Sequence, residues 1–140
     1  MENYNQLKER HQKEVNEFPI GFAFDKKQFK EQMEKLGLTE NDTDKIASIG
    51  GGGFIRKTDI SRFLEMLERH TKETKDAMLN DEFLYTAFRY ELNNHEYCYT
   101  HDPVATFQSL GLKAEDVEND PRISKIFERA KKDYLHNCSY

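Results

Sequence analysis

Residues 17–38 read EFPIGFAFDKKQFKEQMEKLGL. Pro19 must end any helix that precedes it, and 18–24 is an apolar run of strand length with Gly21 as a turn residue inside it, which predicts a short ribbon. Asp25 is placed to cap a following helix. Phe29, Met33 and Leu36 fall at i, i+4 and i+7 and give that helix one apolar face. Gly37 closes it in the left-handed conformation that glycine adopts without steric cost. The unit is therefore helix, ribbon, helix, finished by Leu36-Gly37-Leu38.

A second stretch, ELNNHEYCYTHDPVATFQSLGL at 91–112, shares that pattern. Superposing the two sets Glu17 on Glu91, Phe24 on Cys98, Met33 on Phe107, and one Leu-Gly-Leu on the other. The correspondence predicts a pseudo-repeat, 17–38 and 91–112, whose two ribbons pair.

Outward from these units the helical period recurs. Tyr4, Leu7, His11 and Val15 mark one face of a first helix over 3–16. Thr39 opens a short helix that runs to Ile49, and after the glycines Phe54-Ile55-Arg56-Lys57 forms a brief extended stretch. Asp59 caps a long helix lined by Ile60, Phe63, Leu64, Leu67 and His70, ending near Leu79. Asn80 or Asp81 caps the next, with Phe83, Leu84, Ala87, Phe88 and Leu92 on its apolar face. Residues 96–100 read as the second ribbon, and Asp102-Pro103 starts another helix because proline at the first position sacrifices no hydrogen bond. A small helix from Ala114 precedes a last one that starts at Asp120-Pro121 and carries Ile123, Ile126, Phe127, Ala130 and Tyr134. The fold class expected is mainly α: about six helices with two or three very short β-ribbon segments. One domain over 1–140 is expected, with 137–140 as a frayed tail.

Composition narrows the function classes. With 36% hydrophobic residues, ten Phe, seven Tyr and no Trp, the core must be aromatic-rich. The net charge of -5 opposes a nucleic-acid partner, which needs a basic face to displace counterions. No run of about 18 apolar residues exists to span a membrane, and MENYNQLKER offers no apolar signal region. Two cysteines, Cys98 and Cys138, are too few for a disulfide framework, so a reducing cytoplasm is the expected setting. Cys98 reads as a small core residue.

Two segments could carry chemistry. Gly50, Gly51, Gly52 and Gly53, followed by Arg56 and Lys57, free backbone N–H groups to surround a small anion or nucleotide, but a Walker loop would place Gly before the Lys and here Arg56 stands there. The same region has an EF-hand skeleton over 48–59, with Gly53 at the sixth place, Ile55 at the eighth and Asp59 at the twelfth. Ser48, Gly50 and Gly52 occupy the places that need oxygen ligands, so an EF-hand-like helix-loop-helix is expected in architecture without calcium.

The second segment is Asn93-Asn94-His95-Glu96-Tyr97-Cys98-Tyr99-Thr100-His101-Asp102. In an extended strand His95, Tyr97, Tyr99 and His101 would face one side and Glu96, Cys98, Thr100 and Asp102 the other. That splits any zinc set, so no metal or other cofactor is expected.

The stretches FAFDKKQFKEQMEKLGL, DTDKIASIGGGGFIRKTD, YELNNHEYCYTHD and EDVENDPR resemble a family of small uncharacterised proteins, a domain of unknown function, from gut Firmicutes, their phages and mobile elements. The resemblance covers most of 18–125. It implies a bacterial or phage cytoplasmic setting, in which small acidic accessory proteins act by binding host macromolecules, and it transfers no activity, cofactor or catalytic residue.

The expectation is a noncatalytic interaction module with a protein partner. Its contact surface is expected at Gly50, Gly51, Gly52, Gly53, Arg56 and Lys57 together with Asn94, His95, Glu96, Tyr97 and Tyr99. A small anion or nucleotide on the glycine run is the alternative. A metal-dependent enzyme built on His95, Glu96, His101 and Asp102 is a third.

Overall fold

The computed structural model describes residues 2–138. In chain order the elements are α1 (Tyr4–Glu17), β1 (Gly21–Phe22), α2 (Lys26–Lys35), β2 (Ile46–Gly50), β3 (Gly53–Arg56) and α3 (Ile60–Ala77). They continue with α4 (Asp81–Asn94), α5 (Tyr97–Thr100), α6 (Val104–Ser109), α7 (Ala114–Asn119) and α8 (Pro121–His136). The chain is mainly helical with one small antiparallel sheet, and it has eight α-helices among the described residues where about six were expected. Two compact units result: the start of the chain through Arg10 joined with everything from Lys72, and His11–Thr71.

In the His11–Thr71 unit the sheet order is β1-β3-β2. β3 is central, pairing Phe54 with Gly21 on one side, and Ile46, Ala47 and Ser48 with Arg56, Ile55 and Phe54 on the other. The expected helix from Thr39 to Ile49 is thus replaced by a single 3-10 turn, Thr43–Lys45, and strand β2. Ile46 and Ile49 are β-branched, and strand pairing with 54–56 offers these few residues hydrogen bonds that a helix this short could not sustain. The EF-hand-like arrangement fails for the same reason, because a strand and not a helix enters 48–59. Gly50 and Gly53 face each other across the two-residue turn Gly51-Gly52, and Gly51 and Gly52 both have positive φ, as a tight hairpin requires. Met33, Leu36 and Phe54 form the buried cluster here, with Phe29 tilted against Phe54 at 5.4 Å between ring centroids.

In the other unit α4 is the central helix. Leu84, Ala87, Phe88 and Leu92 have no solvent exposure. Phe88, Phe107 and Phe127 pack edge to face, with centroids 4.8 to 6.3 Å apart, which makes this the aromatic core the composition called for. α8 contributes Ile126, Phe127, Ala130 and Tyr134, and Tyr4 and Leu7 join from α1.

Most of the expected caps form, but Asp59 lies in a 3-10 turn before α3, where its carboxylate accepts from Arg56 instead of capping that helix. Asp25 accepts the Gln28 N–H, Asn80 the Phe83 N–H, Asp102 the Val104 N–H, and Asp120 the N–H groups of Arg122 and Ile123. Both Leu-Gly-Leu closures have one geometry: Leu38 N–H donates to Met33 O at 2.8 Å and Leu112 N–H to Phe107 O at 2.9 Å, each around a glycine of positive φ. Gly111 stands at φ +70° with open space where a Cβ would go. Gly111→Ala should therefore lower stability by about 1 kcal/mol through the backbone alone, measured as a shift in urea midpoint at constant m-value.

The second ribbon is not a strand. α4 runs on to Asn94, and 97–100 form the single turn α5, so β1 pairs with β3 and not with 96–100. Of the predicted tail, Asn137 caps α8 and Cys138 is bonded to Cys98, while residues 139–140 lie outside the described ones. That bond corrects the separate roles expected for the two cysteines and removes the argument for a reducing setting that was drawn from them.

Candidate functional site

The most heavily loaded polar group in the Lys72-onward unit is Glu91, only 1% exposed on the inward side of α4. Its position follows from helical spacing, since Leu84, Phe88, Glu91 and His95 lie at i, i+4, i+7 and i+11 and so share one face. The Tyr4 hydroxyl donates to Oε1 at 2.9 Å and Lys8 Nζ at 3.1 Å. Asn94 Nδ2 donates to Oε2 at 3.4 Å, and His95 Nε2 lies 3.2 Å from Oε2. Burial pushes the carboxyl up, but the Lys8 and Tyr4 hydrogen bonds and the Lys8 charge outweigh it and hold Glu91 below the usual carboxylate range. Burial and the adjacent negative charge push the Tyr4 phenol above its usual range, which keeps it a proton donor.

His95 Nε2 is also 2.7 Å from Ser109 Oγ, so Ser109, His95 and Glu91 contain the residue types of a nucleophilic triad. The geometry is wrong for one. A base takes the serine proton on one ring nitrogen and is oriented by the carboxylate through the other, whereas here the same nitrogen faces both. Ser109 moreover donates its hydroxyl to Ala105 O at 3.0 Å. His95 Nε2–H is then the donor to both oxygens, and the cluster ties α4 to α6 without a free base.

Immediately after it the backbone turns twice through the left-handed region, at Glu96 (φ 53°) and His101 (φ 53°). Neither is glycine, so both positions are strained and must be held by their surroundings. Between them α5 buries Tyr97 and Cys98 together and leaves Tyr99 74% exposed. The alternation expected of a strand, with Tyr97 and Tyr99 on one face, is overturned because a helical turn rotates successive side chains by about 100°. Tyr97 cannot present itself to a partner. Cys98 N–H donates to the Tyr134 hydroxyl at 3.1 Å, and Cys98 Sγ is bonded to Cys138. Both cysteines, with Arg89, Asn93, Glu96 and Tyr99, line an open cleft of about 630 Å³.

In the His11–Thr71 unit the glycine hairpin carries three exposed apolar side chains. Phe24 is 80%, Phe22 52% and Ile49 36% exposed. A Cβ on Gly52 would come within 2.6 Å of the Phe24 ring, and one on Gly53 within 3.1 Å of Phe22 and 3.0 Å of Ile49. The glycines thus seat the rings. Gln28 Oε1 accepts the Phe24 N–H at 2.8 Å, and Gly52 O accepts the Ala23 N–H at 3.1 Å, which fixes the backbone beneath them. Arg56 is committed elsewhere, to Asp59 Oδ2 at 2.8 Å and Leu36 O at 3.1 Å, while Lys57 is exposed.

A family model matches residues 3–133, nearly the whole chain. The chain belongs to DUF7659, a family of unknown function. No curated protein and no solved structure matches it. For this DUF7659 chain, then, the residues themselves carry the functional argument. The two predicted stretches fall in different compact units. His95 and Asn94 join the Glu91 cluster, Glu96 and Tyr99 line the cleft, and Gly50, Gly51, Gly52 and Gly53 make the hairpin. His101 packs edge-on against Tyr97 and Asp102 caps α6, so His95, Glu96, His101 and Asp102 do not converge. Among the described residues no group of three or more His, Cys, Asp or Glu is arranged to hold a metal. Sequence reasoning missed Glu91, Lys8, Phe22 and Phe24. Glu91 was detectable as a carboxylate on an apolar stripe. The exposure of Phe24 was not, because an aromatic in an apolar run reads as core.

Proposed function

We propose that this chain is a noncatalytic interaction module that binds a protein partner through Phe22, Phe24 and Ile49 on the glycine hairpin. The observation that carries the reading is the seating of two exposed rings on Gly52 and Gly53. Aromatic anchors dominate the energetics of many protein interfaces, and a ring already held in place forfeits little conformational entropy on binding. The negative net charge speaks for a protein and against a nucleic acid. The small-anion alternative has less behind it. Arg56 is engaged, and Gly50, Gly51 and Gly52 all have positive φ instead of the αR-αL succession of an anion nest. The setting we propose is the cytoplasm of a bacterium or of a phage-infected cell, with the chain as an accessory factor.

Phe24→Ala should abolish capture of the partner from host lysate while changing stability by no more than about 0.5 kcal/mol, because the ring is mostly in water. Capture and the urea midpoint are measured on the same preparation. An unchanged set of captured proteins rejects this surface.

A further inference from the structure

We propose that the Cys98–Cys138 bond is a thiol–disulfide exchange site, reduced by a small-molecule thiol that enters the cleft beside α5 and reformed by the corresponding small disulfide in the reverse exchange. Three observations support it. The bond lies where the edge of the aromatic core meets the wall of the open 630 Å³ cleft, with Cys138 partly exposed and Cys98 9% exposed. Arg89 lines the same cleft, and its guanidinium bonds the Tyr85 hydroxyl at 3.2 Å and forms no ion pair with a carboxylate among the described residues. A neighbouring cation of that kind favours a thiolate. Finally, the bond clamps a single helical turn held between two left-handed residues, Glu96 and His101, a strained segment with an alternative to relax into once the clamp opens.

Cys138 is the more exposed residue of the pair, so its sulfur is the one attacked. A thiolate attacks its Sγ, the S–S bond breaks, and Cys98 leaves as a thiolate that takes up a proton. A second molecule of the thiol attacks the resulting mixed disulfide, releases Cys138 as a thiol and carries away the oxidised product. The net change is one protein disulfide and two small thiols to one protein dithiol and one small disulfide. The structural consequence falls on 96–101, whose amides lose protection and whose Tyr99 loses its fixed place at the cleft.

The test uses the full chain with reduced glutathione as the probe, alkylation to trap thiols, and mass analysis to count them. The expected result is two alkylated cysteines per chain at a rate that does not change with urea below the unfolding transition. Retained helical circular dichroism and faster amide exchange confined to 96–101 should accompany it. A reduction rate that climbs with urea, as it must if the chain unfolds first, overturns the proposal. Loss of helicity on reduction also overturns it, because the bond would then be a structural staple, and so does a chain isolated under air with both thiols free.

Discussion

Glu91→Ala is expected to destabilise the protein by about 3 kcal/mol at neutral pH. The substitution opens a cavity in α4 and leaves the buried Tyr4 hydroxyl without its acceptor, each a loss of roughly 1–3 kcal/mol. Lys8 adds little, since its side chain is 43% exposed and can turn into water. Glu91→Gln keeps an oxygen for Tyr4 and should lose only about half as much. Chemical denaturation of the three proteins measures both differences, and equal losses for Ala and Gln would mean that the hydrogen bonds are irrelevant.

The same cluster sets a pH dependence whose sign follows from the direction of the shift. The folded carboxyl titrates below its ordinary value of 4.5, so in acid the unfolded state binds the proton first. The contribution is fully present above pH 4.5 and is lost as pH falls through the folded value. Glu14, held low by its hydrogen bond from Arg69, and Asp42, held low by the Thr39 N–H, act in the same direction. Wild type compared with Glu91→Gln isolates the Glu91 share, and the acid limb of stability against pH should be shallower in the variant.

Breaking the Cys98–Cys138 bond is the other large expected effect. The cysteines are 40 residues apart in sequence, and closing a loop of that length removes denatured-state entropy worth about 3–4 kcal/mol. Reduced protein and Cys138→Ser should both unfold at lower urea by that amount, with a larger m-value for the uncrosslinked chain, whose unfolded state is more open. A midpoint that ignores reductant would show that the denatured chain gains nothing from release.

Much of the helical frame was readable from spacing and caps. α1, α3, α4 and α8 each carry an apolar stripe long enough to outvote local ambiguity, and Asp25, Asn80 and Asp120 mark starts that the structure uses. The errors cluster where tertiary partners decide. Residues 46–49 are too few for periodicity to distinguish helix from strand, and β3 settles it from the far side of the glycine turn. Tyr97-Cys98-Tyr99-Thr100 has strand-like residue types, but the Tyr134 hydroxyl and Cys138 hold it as a helical turn. Spatial proximity of Cys98 and Cys138 is a property of how α8 returns across α4, which no local pattern encodes. The candidate sites were half visible for the same reason. Glycine positions showed in the sequence, and what rests on them did not.

β2 is paired on one side only, so its outer edge offers unmet backbone groups to any strand that approaches. The register of its pairing slips between Ser48 and Gly50, which bends the strand away after a very short regular stretch. An incoming chain would find matched donors and acceptors over Ile46, Ala47 and Ser48 and then lose step. That interruption makes the edge a poor template for stacking copies into fibres, so the protein should stay dispersed at high concentration, and straightening the kink by deleting one residue there would remove the safeguard.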